Sequence, residues 1–161
     1  MDESAVVNAS PLILLSRGRH LVLLREFATR VLVPAPVAEE ISARGMDDVT
    51  ATAIRENRWM EIVPEPAVPD EIAAWGLGRG ESSVLAVAAA NPGMTAIIDD
   101  LSGRKCAACL HLPVRGTLGI VLAAKRRGII PQVRPVLDDL LASGLYLRRS
   151  VLNEALKRVG E

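Results

Sequence analysis

Aromatic residues are scarce in this sequence. Phenylalanine, tyrosine and tryptophan make up 2% of the 161 residues, and they occur only as Phe27, Trp59, Trp75 and Tyr146. RNP-type sheets and OB-folds bind nucleic acid with several rings side by side. Rings so few and so widely spaced cannot build such a surface, so we predict a core filled by aliphatic side chains.

Long hydrophobic runs and a signal peptide are also missing. The richest apolar stretch, residues 82–90, is shorter than the roughly 18 residues that a membrane-spanning helix requires. The chain begins with the acidic Met1-Asp2-Glu3-Ser4, whereas a signal peptide begins with a basic region. We therefore predict a cytoplasmic protein that spans no membrane.

Cysteine occurs only as Cys106-Ala107-Ala108-Cys109, with His111 just beyond. A tetrahedral zinc site needs four ligands, and no second Cys/His pair elsewhere in the sequence completes it. A redox pair lies at a strand-to-helix junction, whereas this pair falls inside a predicted helix that begins near Leu101. We predict that both cysteines are buried structural thiols.

What is present describes a folded protein. Half of the residues are hydrophobic and the mean hydropathy is +0.26, which excludes intrinsic disorder. The length fits the usual prior of roughly 150 residues per domain. We predict a single domain over residues 1–161.

Short β-branched segments alternate with longer segments of helical period. This alternation predicts an α/β fold: a three-layer α/β/α sandwich with a central parallel sheet of four or five short strands. After Gly116 the chain is predicted to be mostly helical. The predicted strands are residues 5–7, 31–33, 61–63 and 95–98, with a short fifth strand at 113–114.

Polar side chains follow two of the predicted strands. Asn8-Ala9-Ser10 ends the first strand and Asp99-Asp100 ends the fourth. The carboxyl ends of parallel strands are where an open sheet binds its ligands, so we expect these oxygen ligands to be neighbours. The alternative is that Asp100 or Ser102 only caps the next helix while Asp99 faces solvent.

A glycine-rich segment, Gly76–Ser82, carries a carboxylate at Glu81. It does not match a dinucleotide fingerprint, because the spacing is GxGxG and the segment before it is predicted to be a short helix. Glu81 would also repel a phosphate at the helix start, which favours cation binding. The alternatives are that Glu81 is only a favourable first-turn charge and that Glu39 and Glu40 form a solvated helix face.

Together these acidic groups predict a Mg²⁺ or Mn²⁺ site, because magnesium binds oxygen ligands and bridges a few carboxylates to phosphate oxygens. Several motifs in order then resemble the PIN-domain superfamily of nucleases, in particular a PIN-like branch that is still a domain of unknown function. The motifs are Val7–Ile13, Gly76–Ser82, Ile98–Asp100 with Arg104, Gly116–Gly119, Ala124-Lys125, Gly128–Pro131 and Gly160-Glu161.

The resemblance implies a helix–sheet sandwich with an acidic pocket that binds Mg²⁺ or Mn²⁺ and cleaves RNA. The second, third and fourth acidic sites of the family fall on Glu40, Glu81 and either Asp99 or Asp100. Asn8 holds the first acidic position; its carbonyl oxygen can still coordinate a metal, but one negative charge is lost. Ser10 falls on a small hydroxyl near the metal, and we expect Ser10 and Thr117 to support the ligands.

The function predicted on this basis is metal-assisted hydrolysis of RNA phosphodiesters. Many bacterial members of the family resemble VapC-type toxins, which a cognate antitoxin restrains and which are often dimeric. We therefore expect RNA, an antitoxin and a second copy of the chain as partners, and no dinucleotide. The apolar residues of 12–24 can form a dimer face or belong to the core.

The alternative function is a PIN-like nucleic-acid-binding or regulatory module in which Asn8 has weakened or abolished catalysis. A small-molecule enzyme on a Rossmann-like sheet is a third reading, weakened by the missing fingerprint. The candidates for holding the RNA backbone are Arg104, Lys125, Arg126 and Arg127. The last three can equally be a solvated helix end whose cations favour its dipole.

The formal net charge of zero hides an uneven distribution. Residues 1–100 contain 8 Lys and Arg against 15 Asp and Glu, whereas residues 101–161 contain 11 against 4. The predicted metal ligands all lie in the acidic part. Such asymmetry is compatible with an acidic pocket beside a basic track for a polyanion.

Overall fold

A computed structural model describes residues 3–161, and a parallel sheet lies at its centre. The strands are β1 (Ser4–Val7), β2 (Arg30–Pro34), β3 (Met60–Val63), β4 (Thr95–Ile97) and β5 (Val114–Arg115). Their order across the sheet is β3-β2-β1-β4-β5, and every pairing is parallel. The predicted strands are confirmed with small shifts at their ends. Met1 and Asp2, part of the acidic start of the chain, lie outside the described residues.

The fifth strand begins one residue later than predicted. Pro113 has no N–H group for the ladder, yet its carbonyl accepts a hydrogen bond from the N–H of Ala96 at 2.9 Å. Two residues further along both segments, the N–H of Ile98 donates to the carbonyl of Arg115, also at 2.9 Å. These bonds fix the edge strand beside β4.

Helices cover both faces of the sheet, which confirms the three-layer prediction. They are α1 (Ala9–Arg17), α2 (Val22–Phe27), α3 (Ala35–Ser42), α4 (Val49–Glu56), α5 (Asp70–Ala73), α6 (Arg79–Ala90), α7 (Leu101–Cys109), α8 (Thr117–Arg126), α9 (Arg134–Ala142) and α10 (Arg149–Arg158). Helix α6 packs on β1, β2 and β4 and against α3, α5 and α7; α8 packs against α2 and α9 beside β5. Among residues 3–161, no helix is both long and apolar enough to cross a membrane.

The core is aliphatic, as predicted. Its largest fully buried side chains are leucine, isoleucine and valine, and Phe27 is the aromatic residue that joins them. Leu12, Leu15 and Leu24 are completely buried. The apolar residues of 12–24 therefore belong largely to the core, and Val22, which is 54% exposed, is the exception.

The cysteine prediction is half wrong. Cys106 is buried in the core, whereas Cys109 is exposed at the end of α7. Residues three apart on a helix differ in direction by only about 60°, so the two thiols are neighbours, but Cys109 is the last residue of α7 and its side chain reaches solvent. Burial raises the pKa of the Cys106 thiol, and the nearby Cys109 raises it further.

Glu161 ties the three last helices together. Its carboxylate accepts hydrogen bonds from the N–H groups of Val133 at 2.7 Å and Arg134 at 3.1 Å, where α9 begins. The ammonium group of Lys125 on α8 lies 3.7 Å from the same carboxylate. The two backbone hydrogen bonds, helped by the charges of Lys125 and Arg134, hold the pKa of Glu161 below its ordinary value.

We predict that Glu161→Gln lowers the melting temperature at pH 7. A carboxyl with a depressed pKa stabilises the fold above its unfolded pKa of about 4.3, and that stability is lost as the pH falls through the folded pKa. The difference in melting temperature between the two proteins should therefore shrink below about pH 4.3. Glu154→Gln, which removes an exposed i,i+4 pair with Arg158, is the control and should change little. A difference that stays constant down to pH 3 would contradict this account.

Candidate active site at the carboxyl end of the sheet

The pairing of β1 with β4 brings the two polar strand ends together. Val7 pairs with Ile97, and the N–H of Asn8 donates to the carbonyl of Ile97 at 3.0 Å. The chain leaves β1 at Asn8 and leaves β4 shortly before Asp99. The residues that the sequence analysis selected at these two ends therefore lie at one edge of the sheet.

Asn8 is buried at this edge, with 4% of its surface exposed. Its amide nitrogen donates to the carboxylate of Glu81 across 3.4 Å. Since only the NH₂ group can donate to a carboxylate, the carbonyl oxygen faces the other way. That Oδ1 atom is the one buried side-chain polar atom in residues 3–161 without a hydrogen-bond partner. An unpaired buried acceptor costs about 1–3 kcal/mol, so this oxygen is free to accept a hydrogen-bond donor or a cation.

Gly80 allows the start of α6 to approach this oxygen. A Cβ atom at Gly80 would lie 3.3 Å from Asn8 Oδ1 and 3.3 Å from Glu40 Oε2. The unpaired carbonyl oxygen and the Glu40 carboxylate therefore face the same small space. A side chain larger than that of glycine would crowd both oxygens.

Glu39 and Glu40 separate in the structure. Glu40 turns toward Asn8, whereas the carboxylate of Glu39 is 60% exposed and bonds Arg79 at 2.8 Å. Arg79 also binds Glu65 through two hydrogen bonds, which hold the pKa of Glu65 below its ordinary value. Arg79 thus links α3, the segment after β3 and the glycine-rich turn that presents Glu81.

Asp99 is fixed by Thr117, the first residue of α8. The Thr117 N–H donates to Asp99 Oδ1 at 2.7 Å, and the Thr117 hydroxyl donates to Asp99 Oδ2 at 2.6 Å. Thr117 is fully buried, and the carboxylate lies at the positive end of the helix dipole. Gly116 makes room for the contact, because a Cβ there would lie 2.9 Å from Asp99 Oδ1.

Asp100 has the capping role that the sequence analysis left open. Its Oδ2 atom accepts a hydrogen bond from the N–H of Gly103 at 2.9 Å, which caps α7. The side chain is exposed and also borders the cavity described next. Asp99, by contrast, is half-buried and does not simply face solvent.

The candidate residues border two adjoining cavities. The larger, of about 830 Å³, is lined at this end by Asn8, Ser10, Glu81, Asp99, Asp100 and Arg104. The smaller, of about 300 Å³, shares Asn8, Ser10 and Glu81 and adds Glu40. Thr117 lies behind Asp99 and lines neither cavity. Asn8 and Glu81 therefore stand between the Glu40 side and the Asp99–Asp100 side.

The four basic candidates divide into two pairs. Arg104 and Arg126 line the larger cavity. Lys125 instead binds the carbonyl of Pro131 and lies near Glu161. Arg127 donates to the carbonyl of Phe27 at 2.8 Å and pairs with Glu3 at 2.7 Å, near the start of β1. The structure does not bring Lys125 and Arg127 to the cavity.

Other cavity residues were not among the sequence candidates. Among them are Arg115, Tyr146, Val151 and Arg158. Arg115 ends the edge strand β5, so its position follows once the strand order is known. No sequence signal selected Tyr146 or Arg158, because their positions depend on how α10 and the segment before it pack.

A family model described as a PIN domain matches residues 4–161. The chain belongs to the PIN-domain superfamily. The resemblance inferred from the motifs is thereby confirmed, and with it a nuclease-type fold. Comparison with the curated proteins gave no match. PIN domains are generally nucleases and typically use divalent metals.

The donors in this PIN domain fit an open site for a hard cation. No three Cys, His, Asp or Glu side chains in the described part of the chain converge closely enough to enclose a metal by themselves. Mg²⁺, however, keeps several waters and is often held by one or two carboxylates together with substrate phosphates. The unpaired Asn8 oxygen, the adjacent carboxylates and the absence of sulfur or imidazole among them match that chemistry.

We predict that Thr117→Val lowers the free energy of unfolding by about 1.5–3 kcal/mol, because it removes a buried hydroxyl that donates to a charged carboxylate. Thr117→Ser keeps the hydroxyl and should lose clearly less. Urea denaturation of the three proteins measures both differences. A larger loss in Thr117→Ser than in Thr117→Val would show that the methyl group, rather than the bond to Asp99, stabilises this end of α8.

Proposed function

We propose that this PIN domain is a ribonuclease that hydrolyses RNA phosphodiesters with the help of Mg²⁺ or Mn²⁺. The observation that carries the proposal is the buried, unpaired carbonyl oxygen of Asn8, which faces the Glu40 carboxylate while Glu81 lies on its other side. A bound divalent cation would satisfy this oxygen and balance the surrounding negative charge. It would also supply Lewis-acid chemistry by lowering the pKa of a coordinated water.

Each residue of the site has a distinct part in the proposed reaction. Glu81, Glu40, Asp99 and the Asn8 carbonyl oxygen would hold the cation. We favour Asp99 over Asp100, because Thr117 fixes its orientation while each oxygen keeps a further lone pair, whereas Asp100 is exposed and caps α7. Thr117 positions Asp99, and Ser10 lies within both cavities to orient a ligand or water.

Arg104 is proposed to hold the phosphate. It lines the cavity beside Asp99, and a Cβ at Gly116 would lie 3.4 Å from its Nη1 atom and 2.9 Å from Asp99 Oδ1. Its guanidinium forms no salt bridge within residues 3–161. Hydrolysis then forms a bond between phosphorus and a water oxygen and breaks a bond to one ribose oxygen, which leaves with a proton. Arg104 can neutralise the phosphate charge during this exchange.

We expect the purified protein to cleave single-stranded RNA when Mn²⁺ or Mg²⁺ is added and to stop when EDTA removes the metal. Glu81→Gln and Asp99→Asn should each slow cleavage at least about 100-fold, because they remove ligands rather than outer supports. Glu56→Gln, which replaces an exposed carboxylate outside both cavities, is the matched control and should cleave normally. Cleavage that survives both ligand variants, with folding unchanged by circular dichroism, would contradict the proposal.

The second candidate is a PIN domain that binds nucleic acid without cleaving it. Asn8 at the first acidic position favours this candidate, because an amide contributes no negative charge to attract a cation. RNA that binds to the wild-type protein but stays intact with Mn²⁺ would select it. Because of the missing charge, the two candidates also predict different affinities for the metal ion, and this affinity can be measured without an activity assay.

We expect Asn8→Asp to lower the melting temperature of the metal-free protein and to enlarge the rise in melting temperature caused by Mn²⁺. The new carboxylate replaces a donor to Glu81 by a repelling charge, and a bound cation relieves that repulsion. Calorimetric scans with EDTA and with Mn²⁺ give both shifts. Asn153→Asp, an exposed position outside both cavities, is the control and should change neither shift. An unchanged response to Mn²⁺ would show that Asn8 does not border the metal site.

A finer proposal, which rests on the resemblance to VapC-type proteins, is that the chain is the toxin of a type II toxin–antitoxin pair and acts in the cytoplasm as a homodimer. A small antitoxin-like reading frame beside the gene would support it. Growth arrest on expression, relieved by the product of that reading frame, is the test. Light scattering of the purified protein tests the dimer.

A further inference from the structure

The larger cavity extends well beyond the acidic residues. Leu118, Leu122 and Arg126 line it at intervals of four residues, so they form one face of α8. Val151 and Arg158 of α10 line the same cavity. From Thr117 to Arg126 the helix rises about 14 Å, at 1.5 Å per residue. Along α8, the cavity thus continues from the carboxylates over the apolar Leu118 and Leu122 to Arg126.

Tyr146 stands in the wall of this cavity and is almost fully solvent-exposed. It is the single tyrosine of the chain, and 83% of its surface is exposed, more than for any other large hydrophobic residue in residues 3–161. Its neighbours Leu145 and Leu147 are half-buried, and Leu145 packs on the core. The flanking residues anchor the segment while the ring projects free of the fold.

The charged residues that line the cavity with Tyr146 indicate which kind of partner this ring can bind. Arg104, Arg115, Arg126 and Arg158 line the same cavity. Arg158 has one pair, with Glu154, and that pair is exposed and contributes little. A ring beside several arginines matches a base and its flanking phosphates, because bases stack on aromatic faces and arginines bind the backbone.

We propose that Tyr146 is a base-stacking residue for single-stranded RNA whose backbone follows α8 from the acidic site toward Arg126 and Arg158. The proposal deepens the proposed function and rests on it for the location of the cut. Tyr146 is the one aromatic residue among those that line the larger cavity. It therefore stacks with one unpaired base, at a fixed distance from the phosphate that is cut. A base inside a duplex is already stacked on its neighbours and cannot reach the ring.

The test is RNA binding without cleavage, measured by fluorescence anisotropy with a labelled 12-nucleotide single-stranded RNA in EDTA. Tyr146→Ala and Tyr146→Leu should bind roughly 5- to 100-fold more weakly, the range that corresponds to loss of one stacked base. Tyr146→Phe should bind like the wild type. Trp75→Ala, which removes an exposed ring that lines neither cavity, is the control and should not change the affinity.

A series of RNAs, each with one abasic nucleotide at a different position, identifies the base that stacks on Tyr146. One position should weaken binding to the wild type as much as Tyr146→Ala does, and should have no further effect on that variant. Arg126→Gln should reduce the slope of log affinity against log salt by about 0.7, the value for one phosphate on a single strand. Arg149→Gln, an exposed arginine outside the cavity, should leave the slope unchanged.

The outcomes separate this inference from the proposed function. Tyr146-dependent binding without any Mn²⁺-dependent cleavage would support the stacking residue and reject the ribonuclease. Cleavage with equal affinity in the wild type, Tyr146→Ala and Tyr146→Leu would overturn the stacking residue and keep the ribonuclease. The inference is also wrong if Tyr146→Ala changes the molecular mass in light scattering but not the affinity for RNA, since the ring then belongs to a protein contact.

Discussion

Parallel pairing of β1 with β4 is the constraint on which the rest of the site depends. It places the chain's exits from these two strands side by side, so Asn8 and Asp99 become neighbours although 90 residues separate them in sequence. The elements around them then need only short side-chain contacts to complete the site. Gly80 lets α6 bring Glu81 to Asn8, and Gly116 lets α8 bring Thr117 to Asp99. Disrupting the pairing would therefore remove both halves of the site at once.

The acidic and basic parts of the sequence are separated only partly in the folded structure. The acidic part supplies the carboxylates, and the basic part supplies Arg104, Arg126 and Arg158 to the same cavity. Lys125 and Arg127, however, bind groups on other sides of the molecule. Successive residues on a helix differ in direction by about 100°, so three adjacent cations at the end of α8 cannot all face one ligand. Of these three adjacent cations, Arg126 lines the cavity, whereas Lys125 and Arg127 make contacts within the fold.

The fold and the meeting of Asn8 with Asp99 and Asp100 at one edge of the sheet were predictable because both follow from local patterns, whereas Glu40 was selected only by the resemblance to the family. Strand ends appear as β-branched runs followed by polar residues, and a parallel sheet gathers those ends at one edge. Asp100 as a helix cap was likewise foreseen as an alternative. The exposure of Tyr146 and of Cys109 was not predictable, since each depends on how a helix end or a connecting segment packs. Neither position carries a periodic signal that distinguishes an exposed side chain from a buried one.

At position 8, the residue that favours the stability of the metal-free PIN domain is not the residue that would favour cation binding. As an amide, Asn8 donates to Glu81, which a carboxylate in that position would repel. The same amide leaves a buried carbonyl oxygen unpaired, at a cost of about 1–3 kcal/mol. A cation bound as proposed would recover that cost, but it would meet one negative charge fewer than a carboxylate would offer. In the proposed reaction, a phosphate bound at Arg104 would supply the negative charge that Asn8 lacks.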